Sequence, residues 1–564
     1  MAEGMGFEPT KRFDSFNGLA NRRLRPLGHP SAGDTAYAAW VLEGGAALVK
    51  GGAIGAAESM VICAQWETGR NGRPVMSLGR GAARGAAWNL ATVLIERSVG
   101  MAVLALLLRR VTIADVGIVA IASAISEIGR MITSGGAGEQ VIASPGDRAV
   151  EAGAFWAQII LAVLFAAGLF ALAPTMARWY GTPALGWVTR ALAANILIGA
   201  FLIVPSARLA QHMRFRALSL MSLGSTLLGG AVALSLVFSG YDLAALIAQR
   251  IVGISFYAAA ASIVARWHPP IPPGFARIRS ALQFNIPMMA AGFVDYIANT
   301  GYVVLVGARL PIVAVGQFRI AQRLAEVLQE LAIFPTSKVF LPVFVAVRDD
   351  PQRRFAIAKK LCDALAILSL GVAAVAGAAA TPITILLFGH RWASAGPVFG
   401  AMSLIVPAAA LYAFVNPMLT ALKRPGLVSL FAALNAATIA SAAWFAAPFG
   451  LMALAWTLAA RGAIAAGLLL PAFSIGLGRS AKPIFGLFIA PLCGLLVARL
   501  AGEIVTRAIP ASTDPFILLI LAGGAAGAAF SATLLVLARH RTLALIATLL
   551  RLFRPVPAIR ETVA

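Results

Sequence analysis

The chain has 564 residues, of which 60% are hydrophobic and only 12% charged, and its mean hydropathy is +0.84. Globular domains are about 45 to 50% apolar and about 25% charged, so a soluble enzyme is excluded and a polytopic membrane protein is expected. The formal charge of +23 does not call for nucleic acid, because basic cytoplasmic loops give a membrane protein the same excess.

Residues 1–75 stand apart from the rest of the chain. They hold no long apolar run, and "AWVLEGGAALVKGGAIGAAESM" is Gly-rich and interrupted by Glu43, Lys50 and Glu58. "MGFEPTKRFDSFNGLANRRLRPLGHPS" resembles a spurious leader translated from an upstream transfer RNA gene, so Met76 is expected to be the true start. Cys63, Cys362 and Cys493 lie far apart with neither CxxC nor zinc spacing.

From 86 onward, apolar runs of bilayer length follow one another almost to the end. The predicted spans are 86–108, 114–134, 153–174, 186–205, 217–238, 242–265, 284–306, 312–336, 357–378, 395–420, 427–447, 450–474, 483–502 and 516–538. With both termini inside, 23 loop and tail Lys and Arg fall on the cytoplasmic side and 7, Arg499 among them, on the other, as the positive-inside rule requires. "RLAQHMRFR" (208–216) and "ARHRTLALIATLLRLFRP" (538–555) read as membrane-surface anchors, the second as an amphipathic interfacial helix.

An internal repeat is visible. "RVTIADVG" (110–117) and "RLPIVAVG" (309–316) match at an offset of 199, which also pairs Glu96 with Asp295 and Glu127 with Glu326. "PTMARWYG" (174–181) and "PITILLFG" (382–389) share a Pro-to-Gly exit at an offset of 208. Six helices separate the copies, so the halves insert in the same orientation. The expected fold is all-α, with about 14 transmembrane helices: two six-helix lobes (76–270 and 271–480) related by a parallel pseudo-twofold, helices 13 and 14 (481–540), and a cytoplasmic tail (541–564).

Charge inside these spans is the functional signal. In "GQFRIAQRLAEVLQE" (316–330), Arg319, Arg323, Glu326 and Glu330 make one helical stripe, while Ile320, Leu324, Val327 and Leu331 make the opposite face. Ser123, Glu127, Arg130 and Ser134 form a milder stripe in the second span, and Glu96, Arg97, Arg250 and Asp295 add charge at mid-membrane depth. Each ionised group facing lipid would cost about 2.5 to 3.5 kcal/mol, so these must face protein or water, and one shared polar cavity is expected. Two uses of the groups stay open. They pair structurally, Arg323 with Glu326 or Glu330 and Arg319 with Asp295, or the arginines receive an anion while the carboxylates hold them or titrate with a driving ion.

No ATP-binding GxxxxGK[ST] loop, HExxH or GxSxG motif occurs, and the five histidines are scattered. "GGAGEQ" (135–140) reads as a helix exit and not a phosphate cradle. No outer loop is long enough for the catalytic domain of a glycosyltransferase or polymerase. A transporter, with no catalytic residue, metal or cofactor, is the reading that remains.

From about residue 82 to 480 the chain resembles the bacterial oligosaccharide flippase and polysaccharide exporter family, within the superfamily that includes multidrug exporters and peptidoglycan-precursor flippases. The resemblance is carried by "AFWAQIILAVLFAAGLFALAPTMARWYG" (154–181), "HMRFRALSLMSLGST", "FNIPMMAAGFVDYIANTGYVVLVGARLPIVAVGQFRIAQRL" and the run from "LLFGHRWASAGPVFGAMSL" to "LTALKRPG". Gly307, Gly316, Ala321 and Arg323 fall on family positions, but Tyr302 stands where the family commonly has an Asp. The resemblance implies an inner-membrane protein that moves a polyprenyl-pyrophosphate-linked oligosaccharide to the periplasmic leaflet, for exopolysaccharide or lipopolysaccharide synthesis. Its expected partners are that lipid-linked oligosaccharide and membrane lipids, with polysaccharide polymerase and glycosyltransferases as candidate protein partners and no nucleic acid. Arg97, Arg130, Arg250, Arg319 and Arg323 are expected to line the pyrophosphate route, and Glu96, Glu127, Asp295, Glu326 and Glu330 to set their poise. The alternatives are a multidrug cation antiporter and a peptidoglycan-precursor flippase of the same fold.

Overall fold

The computed structural model describes residues 95–510 and 512–543. The expected leader (1–75), the start at Met76 and most of the amphipathic tail lie outside the described residues. Within them the chain is helical, and the longer helices are α1 (95–108), α2 (Ile113–Ser134), α3 (Arg148–Trp179), α4 (Pro183–Gln211), α5 (Phe215–Phe238), α6 (Asp242–Val264), α7 (Phe275–Tyr296), α8 (Ile312–Ala346), α9 (Pro351–Ala378), α10 (Ile405–Ala421), α11 (Pro425–Ala446), α12 (Leu451–Leu468), α13 (Ile489–Ala508) and α14 (Pro515–Leu537).

Apolar runs give these helices their length, and short polar signals start them. The Asp147 side chain accepts from the amides of Ala149 and Val150, and Asp350 does the same for Gln352 and Arg353. Such caps satisfy amides that a helix start leaves open. Pro183, Pro351, Pro425 and Pro515 sit in the first turn, where their missing N–H costs nothing.

Eleven helices among the described residues are long and apolar enough to cross a membrane, which makes this a multi-pass membrane protein. The fourteen spans expected differ from these at α1, α7 and α8. The α7 helix stops at Tyr296, a five-residue π turn (Ile297–Gly301) follows, and a short helix (Tyr302–Gly307) completes it. The α8 helix carries the charged stripe. Elsewhere helices overrun their predicted ends, α3 starting at Arg148 and α8 reaching Ala346. The α13 helix runs from Ile489 to Ala508, so Arg499, expected as an outer-loop charge, lies inside a helix.

Burial separates inner from outer helices. The stretch that begins with α2 is 67% buried across its most apolar window, whereas α3, α6 and α14 are each 22% buried. Their exposed Leu164, Phe170, Ile263 and Ile520 are the surface that lipid covers. Helices α2 to α6 pack among themselves and α8 to α14 pack among themselves, with α2 against α8 as the principal seam. The α7 helix touches both sets, packing on α2, α3 and α11.

At the seam the repeat becomes physical. A Cβ on Gly117 would stand 2.1 Å from the Ile312 carbonyl oxygen, and a Cβ on Gly316 2.1 Å from that of Ile113. Both partners keep the offset of 199, since 117 + 199 = 316 and 113 + 199 = 312. The two helix starts thus cross reciprocally, each glycine admitting the other's backbone. Around them one apolar core joins Val111, Ile118 and Ile121 to Val303, Val306, Val315, Phe318 and Trp392, closing this end of the seam. Long-range bonds fasten it. Arg109 Nη2 donates to the Leu386 carbonyl at 2.8 Å, Arg391 Nη1 to that of Arg110 at 2.8 Å, Trp392 Nε1 to that of Leu108 at 2.8 Å, and the Tyr180 hydroxyl to that of Val304 at 3.2 Å. Tyr180 belongs to the first Pro-to-Gly exit read from the sequence, Trp392 follows Gly389 of the second by three residues, and each bonds to a distant part of the chain.

Candidate functional site

Turning α8 so that Ile320, Leu324 and Ala325 enter the seam core swings its charged stripe sideways, toward α10, α11 and α12. There it walls a cavity of about 540 Å³. Arg319, Glu326, Gln329 and Glu330 come from α8, Thr300 and Tyr302 from the broken part of α7, Tyr412 from α10, Phe431, Asn435 and Thr438 from α11, and Arg461 from α12. The lining therefore mixes guanidinium groups, carboxylates, amides, hydroxyls and aromatic rings.

The stripe is internally paired. Glu326 holds two arginines at once, Arg319 Nη1 at 3.2 Å and Arg323 Nη1 at 3.1 Å, with all three side chains less than a third exposed. Glu330 reaches across to Arg97 of α1 at 3.4 Å, in a wetter setting with side chains 40% and 55% exposed. Of the pairings weighed from sequence, Arg323 with Glu326 is present. Arg319 pairs with Glu326, about two turns along its own helix, and the Asp295 side chain lies outside the described residues.

The second stripe, on α2, is also paired: Arg130 Nε donates to both Glu127 oxygens at 2.9 Å. Arg250 on α6 lies in the electrostatic field of Arg319 and of Glu127, and Glu127 in turn feels Arg130, Arg250 and Arg319. Charge is thus continuous across the seam. The Ser222 hydroxyl donates to Glu96 Oε1 at 2.7 Å. Arg250, Gln249, Ser225, Thr226 and Tyr257 line a separate, more open recess of about 450 Å³.

The larger cavity draws on α7 to α12 and the residues between them, and the recess on α4, α5 and α6. Arg319, Glu326 and Glu330 line the cavity and Arg97 and Arg323 attach to them, whereas Arg250 lines the recess, and Glu127, Arg130 and Glu96 line neither. "GGAGEQ" is the exit of α2, which ends at Ser134 with Gly135 as its cap. Gly136, at φ +82°, turns the chain left-handed with the Asn285 amide oxygen 2.9 Å from where its Cβ would be, and helix resumes at Ala137–Ala143.

Arg461 was missed by the sequence reading. Its signal was there: one arginine inside the apolar run "LMALAWTLAARGAIAAGL" of α12. Its Nη1 donates to Asn435 Oδ1 at 2.7 Å and to Thr438 Oγ1 at 3.3 Å, both neutral. Tyr302, in place of the family's Asp, is buried edge-on against Phe318 with ring centroids 6.0 Å apart, and lies in the fields of Glu326, Arg319 and Arg461.

A sequence profile described as polysaccharide biosynthesis protein matches residues 103–397, just over half of the chain. The chain belongs to this polysaccharide biosynthesis protein family. A curated relative, the succinoglycan biosynthesis transport protein ExoT of Rhizobium meliloti (strain 1021), is 26% identical over 250 residues, which is 44% of this chain and 51% of ExoT. The match therefore spans about half the length of that relative. Among solved structures, the lipid II flippase MurJ in its inward closed conformation aligns with a TM-score of 0.62 at 13% identity, covering 79% of this chain and 98% of MurJ. An inward-facing multidrug resistance MATE family transporter aligns with a TM-score of 0.53 at 12% identity, covering 69% and 95%. This member of the polysaccharide biosynthesis protein family therefore has the fold that MurJ and MATE transporters share.

Proposed function

We propose that this chain is a flippase that moves a polyprenyl-pyrophosphate-linked oligosaccharide from the cytoplasmic to the periplasmic leaflet of a bacterial inner membrane, with both termini in the cytoplasm and no enzymatic step. The observation that carries the reading is the charge of the main cavity. Arg97, Arg319, Arg323 and Arg461 stand on or behind its wall against Glu326 and Glu330. Such an excess of fixed cations inside an apolar protein is stabilised by an anionic guest. Amides and hydroxyls beside them suit a saccharide, and the lipid tail can stay in the bilayer. Movement of α2 to α6 against α8 to α12 about the seam would expose the headgroup first to one side and then to the other. Polysaccharide polymerase and glycosyltransferases are the expected protein partners.

The likeness to ExoT, named as a succinoglycan transport protein, supports a glycan cargo. The MurJ likeness keeps a peptidoglycan-precursor cargo as the second reading, and the excess of arginine disfavours the cationic drugs of a multidrug antiporter. The test is a strain lacking the chromosomal gene, complemented by wild type or by Arg319→Ala with Arg323→Ala, in which cytoplasmic-leaflet lipid-linked oligosaccharide is quantified. Accumulation in both the deletion and the double variant, with the variant present in the membrane, is expected. No accumulation in the deletion sinks the assignment.

A further inference from the structure

Among the described residues, the carboxylates that line the main cavity are paired, Glu326 with Arg319 and Arg323, Glu330 with Arg97. Arg461, on the far wall, shares in none of them. Of its five N–H donors, Nη1 meets only the neutral oxygens of Asn435 and Thr438, and Nε is buried without an acceptor.

The neighbours hold this guanidinium in place and do not neutralise it. Asn435 and Thr438 lie three apart on α11, so they face the same way. The Thr438 hydroxyl donates to the carbonyls of Leu434 and Asn435, at 2.9 and 3.0 Å, which leaves its oxygen to accept from Arg461. Because Asn435 Oδ1 accepts from Arg461, its NH₂ is left as a donor with no acceptor among the described residues. The result is a fixed patch of donors in the wall of the 540 Å³ cavity, with Arg461 Nη2 and the Asn435 amide taking no acceptor among the described residues. Shifting Glu326 to Arg461 would only strand Arg319 and Arg323. What completes the patch is an acceptor-only group from outside.

We infer that Arg461 and Asn435 form a distinct oxyanion subsite on α11 and α12 that binds an anionic group of the transported headgroup. The group is either the diphosphate or a carboxylate of an acidic saccharide, the two sources of one ligand chemistry. The inference rests on the flippase reading for the identity of its ligand, while the binding chemistry stands on the donor geometry.

The test uses full-length protein in lipid nanodiscs and isothermal titration calorimetry with three probes: inorganic pyrophosphate, an oligogalacturonate, and a neutral maltooligosaccharide of the same length. Wild type is expected to bind at least one anionic probe more tightly than the neutral one. Arg461→Gln should weaken that probe about tenfold or more, Arg461→Lys should weaken it less, and the neutral probe should not respond. A loss for pyrophosphate assigns the diphosphate, and a loss confined to oligogalacturonate assigns a saccharide carboxylate. Asn435→Ala, which frees the guanidinium without removing it, is the second variant and should weaken the same probe several-fold. Wild-type affinity in both Arg461→Gln and Asn435→Ala overturns the inference, as does wild type that binds neither anionic probe. A deletion strain without lipid-linked oligosaccharide accumulation, alongside Arg461-dependent probe binding, would sink the flippase reading and leave this subsite standing.

Discussion

Glu326 carries more than any other residue at the site, since one carboxylate restrains two guanidinium groups, Arg319 and Arg323, on the same face of α8. Replacing it strands both in a setting less than a third open to solvent. Breaking a fully buried pair costs about 3 to 5 kcal/mol, and exposed pairs contribute about 0 to 1. Glu326→Gln is therefore expected to lower stability by about 1 to 2 kcal/mol and, by leaving the cavity more cationic, to tighten pyrophosphate binding. A thermal melt and a titration of the same sample check both; unchanged affinity would mean that the arginines do not face the guest. The Arg97 and Glu330 pair is wetter, so Glu330→Gln should change melting less than Glu326→Gln does. The stripe itself was legible because its spacing is local. Which arginine each carboxylate takes, and the presence of Arg461 opposite, depend on how α8, α11 and α12 turn toward one another, which no local pattern encodes.

At the scale of elements, the seam depends on two glycines. A methyl group at either Gly117 or Gly316 would meet a backbone carbonyl oxygen at 2.1 Å, and a backbone cannot step aside as a side-chain tip can. Gly117→Ala and Gly316→Ala are each expected to force α2 and α8 apart at their starts, costing about 1 to 3 kcal/mol and slowing transport. Melting and transport equal to wild type in both variants would show that the two helix starts do not cross in this way. The 199-residue offset in the sequence pointed to these glycines as equivalent, but only the fold reveals that each sits on the other's partner. A second long-range fastening was less legible. Arg499 of α13 donates to the Gly400 carbonyl at 2.7 Å and to Ser403 Oγ at 2.5 Å, gripping the break between helix Ala395–Met402 and α10. Met402 and Ile405, either side of that break, line the main cavity. Arg499→Leu is accordingly expected to loosen this wall, seen as faster hydrogen exchange at residues 400–406, while leaving the α2 and α8 seam unchanged. The count of outer charges included this arginine because it stands near the outer end of the 483–502 span, whereas the helix carries on six residues past that span, to Ala508. In the same way α3 and α8 continue beyond their apolar stretches, as hydrogen-bonded helix does not stop where the hydrocarbon does.

For the molecule as a whole, composition and the spacing of apolar runs made the membrane class and most helices readable. The resemblance placed the chain among polysaccharide exporters, which the family match bears out. The site was readable as a set of charges and not as a shape, because the cavity wall is assembled from α8, α10, α11 and α12, far apart in the sequence. The central claim is that this arginine-rich cavity serves the passage of an anionic, lipid-linked glycan. Its most direct test is transport in proteoliposomes, with purified protein, a fluorescent polyprenyl-pyrophosphate oligosaccharide and a membrane-impermeant quencher reporting which leaflet holds the headgroup. The account predicts that wild type speeds exchange between leaflets well above protein-free vesicles and that Arg319→Ala with Arg323→Ala lowers that rate about tenfold or more. Exchange by wild type no faster than in empty vesicles, or by the double variant as fast as wild type, would contradict it.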